Sequence, residues 1–250
     1  MRHPPESRGE PTRAERSRIV RDALAVGVAT GAYGISFGAI AVSAGLSVAQ
    51  TCALSLLVFT GASQFALVGV VAAGGAPLSG TATALLLGSR NTLYGLRVAP
   101  LVGWTGWRRA AAAHLLIDES TAMSVTRATP AAARLGYLST GLSVFVLWNL
   151  ATWGGAIAGE QLGDPRAYGL DAAVAAAFLA LLWPRLADRR NQMVAALGAV
   201  VALGLVPVTA AGVPVLAAGA VALLAGVLSR RPDPTEYPTR DDLPGGGGHR

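Results

Sequence analysis

The stretch Val58-Phe-Thr-Gly-Ala-Ser-Gln-Phe-Ala-Leu-Val-Gly69 sets a lone amide, Gln64, in the middle of an apolar run. That run extends far beyond it: residues 23–89, 67 in a row, carry no charged side chain, whereas one bilayer crossing needs only about 20. No soluble core helix has that length, so the chain reads as an integral membrane protein. Gln64 then lies at membrane depth, where an unpaired amide is costly and polar groups turn toward other helices or a water-filled cavity.

The composition agrees. Hydrophobic residues make up 52% of the 250 and charged residues only 14%, against roughly a quarter in soluble domains. A net charge of +6 would suggest nucleic acid if it were spread over a folded surface. Instead the basic residues, all Arg, crowd the first 21 positions, Arg108-Arg109, 185–190 and Arg230-Arg231. That is the pattern of cytoplasmic flanks beside membrane spans, and it argues against a nucleic-acid partner. Without Lys there is no Schiff-base chemistry, and the single Cys52 gives neither a disulfide nor a cysteine-pair metal site. No metal or cofactor is expected. Val42-Ser43-Ala44 faintly resembles a signal cleavage site, but the apolar stretch continues far past it.

These features predict an all-α, polytopic helical bundle of about seven or eight spans, some broken or re-entrant. Residues 1–21 are expected to be a disordered cytoplasmic tail, 22–229 the transmembrane domain, and 230–250, rich in Pro and Gly, a second disordered tail. The clearest spans are Ala23 to Ala44, Ala49 to Ala73, Leu135 to Gly159, Leu170 to Leu186, Asn191 to Val206 and Val213 to Leu228. The region from Leu78 to Arg134 admits two readings. Either the first half makes four crossings, leaving Arg108 and Arg109 outside, or Leu78 to Trp104 is a broken hairpin turning back at Arg90-Asn91, which keeps them inside.

Five patches can carry chemistry. Gln64 has Thr60, Gly61 and Ser63 as neighbours, a neutral hydrogen-bonding set suited to a zwitterion or, more plainly, to one interhelical hydrogen bond. Arg90-Asn91 interrupts an apolar segment, with Tyr94 and Arg97 further along. Arg at membrane depth marks a pathway, counter-ion or anion site and grips carboxylates in a fork, unless it snorkels to an interface. His114 and Asp118 are spaced to meet on one helical face, with Glu119 turned away. They suit a proton relay, with Asp118 as the relay acid and Glu119 as an arginine's partner, or simply fixed ion pairs. Trp148-Asn149 is a further polar patch, and Asp171 suits a helix cap. Gly27, Gly31, Gly34 and Gly38 form one small-residue face for close helix packing, within the bundle or against a second subunit. Enzyme chemistry has little support: after Gly61-Ala62-Ser63 a rhomboid-type protease would need Gly where Gln64 stands.

In order along the chain, Gly34-Ile35-Ser36-Phe37-Gly38, Phe59-Thr60-Gly61-Ala62-Ser63-Gln64-Phe65, Arg90-Asn91-Thr92-Leu93-Tyr94-Gly95, Asp118-Glu119-Ser120 and Tyr168-Gly169-Leu170-Asp171 resemble the AzlC family, the large subunit of branched-chain amino-acid exporters. The resemblance covers about Arg21 to Leu228. Where that family usually sets Asn before the arginine and His after it, this chain has Ser89 and Asn91. The resemblance implies an inner-membrane permease that exports valine and related amino acids with a small AzlD-type membrane subunit as partner; the titratable residues His114, Asp118 and Glu119 add the expectation that the proton gradient drives it. The alternative is a transporter or channel for another small solute, such as an organic anion drawn to Arg90.

Overall fold

A computed structural model describes residues 10–161, 179, 182–210 and 212–228. Among them are ten α-helices and a short 3-10 turn, Trp183–Ala187, with no strand.

Two long helices form the spine: α1 (Arg13–Ser43) and α8 (Pro130–Gln161). The glycines of α1 bring them together. A Cβ at Gly31 would stand 2.7 Å from the Leu147 Cβ, one at Gly34 would stand 2.5 Å from the Trp148 carbonyl oxygen, and one at Gly38 would collide with the Thr152 carbonyl. From Gly27 against Ser143 to Gly38 against Gly155, the residue numbers rise together. The two helices therefore run parallel, and the glycine face is consumed inside the chain. Helix α1 also begins earlier than the sequence suggests. Arg13 to Arg21, expected within a mobile tail, are its first turns, because the Thr12 hydroxyl accepts the Glu15 N–H (3.2 Å) and Ile19 has an apolar site to fill.

Parallel spines require the chain between them to make a net return, and one segment does so. Helix α4 (Pro77–Gly88) leads into α5 (Arg90–Val102) through Ser89, whose φ of −58° and ψ of −26° remain right-handed helical. The chain bends there without turning back, which overturns the hairpin reading at Arg90-Asn91. Asn91 meets Leu116 and, further along, Val102 meets Arg134. This segment therefore descends against the rising α8.

On either side of it lies a V-shaped helix pair. Helix α2 (Val48–Leu57) descends along α8, with Ser55 facing Thr152 and Phe59 just beyond its end facing Phe145. The chain then reverses at Val58–Gly61, where Gly61 takes φ +63°, a value that costs glycine least. Helix α3 (Ala62–Ala72) climbs back antiparallel to α4, since Ser63 meets Gly88 while Leu67 meets Gly80. The expected single span Ala49 to Ala73 is thus two half-length helices. In the second pair α6 (Gly106–Ala113) rises, the chain extends at Ile117 (φ −129°, ψ 173°), and α7 (Asp118–Val125) descends along α8. Leu115 packs on Gly141 and Met123 on Gly136. The two Vs enter from opposite ends and their tips meet: the rings of Phe59 and His114 are 6.3 Å apart, and both pack on Phe145.

Helices α9 (Arg189–Leu205) and α10 (Val213–Leu228), close to their expected bounds, form an antiparallel pair. Gly219 packs on Leu86 and Gly212 on Ser79, which docks α10 against α4. Tyr168 to Asp171, and with them the proposed cap, lie outside the described residues, as does most of Leu170 to Leu186.

Candidate functional site

Each break in a helix exposes polar backbone and frees side chains from the regular stripe, and here the breaks converge. Where the first V reverses, where α4 bends into α5 and where the second V reverses, the surrounding helices leave a cavity of about 350 Å³. Its apolar wall comes from Phe59, Phe65, Leu87, Ile117, Val144 and Trp148, and its polar wall from Thr30, Tyr33, Thr60, Arg90, Asp118 and Glu119. An edge-to-face contact of Phe37 with Phe65 (5.4 Å between centroids) and a stack of Phe37 on Trp148 (6.2 Å) fix the aromatic side.

The charged groups are arranged unevenly. Arg90 Nη1 lies 3.3 Å from Asp118 Oδ2, joining the bend of α4–α5 to the first residue of α7. Glu119, the next residue, takes a different partner: the Thr30 hydroxyl of α1 donates to its Oε1 at 3.4 Å. Both acids line the one cavity. The expectation that adjacent helical positions diverge too far for this fails because the cavity wraps around the end of α7. The expected pairing is also reversed: among the described residues Asp118, not Glu119, is the arginine's partner. His114 does not complete a relay with Asp118. The helix carrying it ends at Ala113, so the one-turn spacing is lost, and its exposed ring packs at the tip of the V.

Four expected substrate contacts also lie elsewhere. Gln64 is completely buried but turned from the cavity: its Oε1 accepts the Gly61 N–H at 3.1 Å and its Nε2 donates to the Leu54 carbonyl at 3.4 Å. It braces the first V. Asn91 donates to the Leu116 carbonyl at 3.1 Å and ties the α4–α5 bend to the second V. Ser63 is buried against Gly88, outside the cavity lining. Tyr94 does not line the cavity either, and Arg97 is exposed. Thr60 and Arg90 are where the sequence places them, on the wall. Among the described residues the Thr60 hydroxyl, Arg90 Nε and Trp148 Nε1 have no hydrogen-bond partner in the protein.

Sequence reasoning missed Thr30 and Tyr33. Thr30 is next to Gly31, yet the glycine spacing identifies only the face that meets α8. Among the described residues no cluster of His, Cys, Asp and Glu could hold a metal.

A family model described as AzlC protein matches residues 25–162. The chain belongs to the AzlC family. The matched interval takes in both Vs, the α4–α5 bend, all of α8 and α1 from residue 25 onward, so it contains the cavity lining apart from Leu182. No curated protein and no solved structure matches this chain. The AzlC family is associated with branched-chain amino-acid transport. Helices α1 and α8 are each long and apolar enough to cross a membrane. Family and helices together make this a membrane protein.

Proposed function

We propose that this AzlC protein is a cell-membrane exporter of branched-chain amino acids, a permease and not an enzyme, working with a small AzlD-type membrane subunit. The observation that supports it best is the mixed wall of the cavity. Its volume sits at the small end of ligand pockets, roughly 300–1,000 Å³, suited to a small molecule. The Phe59, Phe65, Ile117 and Val144 side accepts a branched aliphatic chain. Two acids and one arginine face it. A plain organic-anion site is the weaker alternative, because Asp118 already occupies Arg90 and Glu119 adds repulsion.

In this reading α1, the α4–α5 segment and α8 cross the bilayer. From Pro77 to Val102 the bent segment reaches at most about 39 Å at 1.5 Å per residue, enough for a hydrocarbon core of about 30 Å. The two Vs are re-entrant, their irregular tips shielded by protein as non-helical backbone at membrane depth must be. With α9 and α10 also crossing, the described helices contribute five crossings and two re-entrant pairs. The arginines support the orientation. Those at 13, 16, 18, 21, 108, 109, 127, 134, 189 and 190 all gather at the end where α1 begins, and the opposite turns 44–47, 73–76 and 206–212 carry none. The positive-inside rule makes that end cytoplasmic. The test is counterflow of labelled valine in proteoliposomes, with and without the partner subunit. Accumulation that valine and leucine compete away supports the reading, and its absence with the partner present rejects it.

A further inference from the structure

The charges at the cavity do not balance. Among the described lining residues there are one guanidinium, Arg90, and two carboxylates, Asp118 and Glu119. Arg90 and Asp118 are paired at 3.3 Å. Glu119 has no arginine within 4.0 Å among the described residues and holds only the neutral Thr30 hydroxyl. The groups that face it from each packed element are few. Tyr33 and Thr30 come from α1, Arg90 from the α4–α5 bend, Thr60 from the first V, uncharged Val144 and Trp148 from α8, and Asp118 from its own helix. His114 stands at the tips against Phe59 and Phe145, outside the lining, and Arg97 is exposed.

One excess negative charge at membrane depth calls for a cation. The first turn of α7 stabilises the carboxylate, since its N–H groups have no intrahelical partner. An internal arginine would have neutralised it permanently, as Arg90 does Asp118. With no such arginine among the described residues, the compensating charge arrives from solution, and two candidates reach the cavity: a proton and an ammonium group.

We propose that Glu119 is a single anionic seat for which the ammonium of the bound amino acid and a proton compete. Resting on the transport reading above, this makes the cavity a one-for-one proton/amino-acid exchanger. A proton arriving from the outer side forms the O–H bond on Glu119, the ammonium loses its counter-charge, and the zwitterion leaves intact. The proton departs toward the cytoplasm when the next ammonium takes its place. No further reactant is needed. Asp118 and Arg90 hold their pair throughout and position α7.

The test is equilibrium binding in detergent or nanodiscs as a function of pH, with valine and with 2-hydroxy-3-methylbutanoate, in which a hydroxyl replaces the ammonium. One proton displacing one ammonium weakens valine binding by about tenfold per pH unit on the acid limb. The hydroxy acid lacks the cation, so its binding strengthens as pH falls until its own carboxyl protonates. Glu119→Gln should flatten both profiles, while Glu119→Asp restores a slope. The hydroxy-acid comparison needs no variant and stands even where Glu119→Gln fails to fold. Parallel pH profiles for the two ligands, or a Glu119→Gln protein with the wild-type valine slope, overturn the competition and leave valine transport standing. Failure of the wild-type protein with its partner to bind or transport valine at any pH overturns both.

Discussion

Replacing Gln64 by Leu separates a brace from a substrate ligand. The amide makes two contacts, and they are not equal. The Leu54 carbonyl already accepts the Val58 N–H at 2.9 Å, so losing the 3.4 Å donation from Gln64 leaves it satisfied. The Gly61 N–H is different, because Gln64 Oε1 is its acceptor at the reversal of the first V. Leaving a fully buried donor unpaired costs about 1–3 kcal/mol, an upper range here because Gly61 is half-buried at the cavity edge, and the similar volume of Leu keeps the packing term small. At roughly 2–4 °C per kcal/mol for a chain of this size, the melting midpoint should fall by about 2–12 °C. Below that midpoint substrate affinity should change little, since the side chain does not line the cavity. The assay is thermal unfolding of the purified protein alongside valine binding at low temperature. A variant that melts with the wild type but no longer binds valine would refute the brace and return Gln64 to the substrate site.

Other outcomes follow from the same geometry. Gly38→Val should cut the yield of folded protein, because its Cβ meets the Thr152 carbonyl in a packed interface where overpacking costs about 1–3 kcal/mol or more. Gly154→Ala, with nothing within 4 Å of the new carbon, should be neutral in the same expression and melting assay. Arg90→Ala removes the ion-pair partner of Asp118, and the side chains are 32% and 33% exposed, so the loss should stay below the 3–5 kcal/mol of a fully buried pair. The Arg90→Ala, Asp118→Ala double variant should recover folded protein but not valine export. With Cys52 replaced, a cysteine at Arg108 should react with an impermeant thiol reagent only from the cytoplasmic side, and one at Gly75 only from outside; the reverse pattern would invert the topology.

Periodicity and charge spacing made much of the architecture legible. A glycine every three or four residues needs a backbone to approach, and the face of Gly27, Gly31, Gly34 and Gly38 found α8. Pro207 and Pro214 lie where α9 ends and α10 begins. The Vs were hidden because hydropathy counts length, not direction. Two half-length helices back to back have the same apolar length as one crossing, and only Gly61 hints that Ala49 to Ala73 turns back. The same failure displaced the relay. Pairing His114 with Asp118 assumed a continuous helix, while Leu116 lies outside any helix and Ile117 is extended. Thr30 was invisible for another reason: its partner Glu119 is 89 positions away, a contact that no local pattern encodes.

On the proposed topology the opposed Vs also explain why the chain would break two helices at membrane depth, where exposed backbone is costly. Helix α3 climbs away from the cavity and α7 descends away from it, so both present their N-terminal turns to it. Each such turn carries about half a positive charge on unpaired N–H groups. At α7 the acids Asp118 and Glu119 sit directly on that turn. At α3 no acid intervenes: Gly61 and Ala62 line the cavity, and the Thr60 hydroxyl beside them has no partner among the described residues. One wall is therefore net negative and another offers free donors. Arg90, bound to Asp118, belongs to the negative wall as its counter-ion, so on the proposed transport reading a substrate carboxylate would sit at the turn of α3. A zwitterion placed with its ammonium at Glu119 and its carboxylate at Ala62 satisfies both walls at once, with its side chain against Phe59 and Val144. Thr60→Val should then weaken valine while leaving valinol, which lacks the carboxylate, unchanged. Equal losses for the two ligands would move the carboxylate seat away from α3.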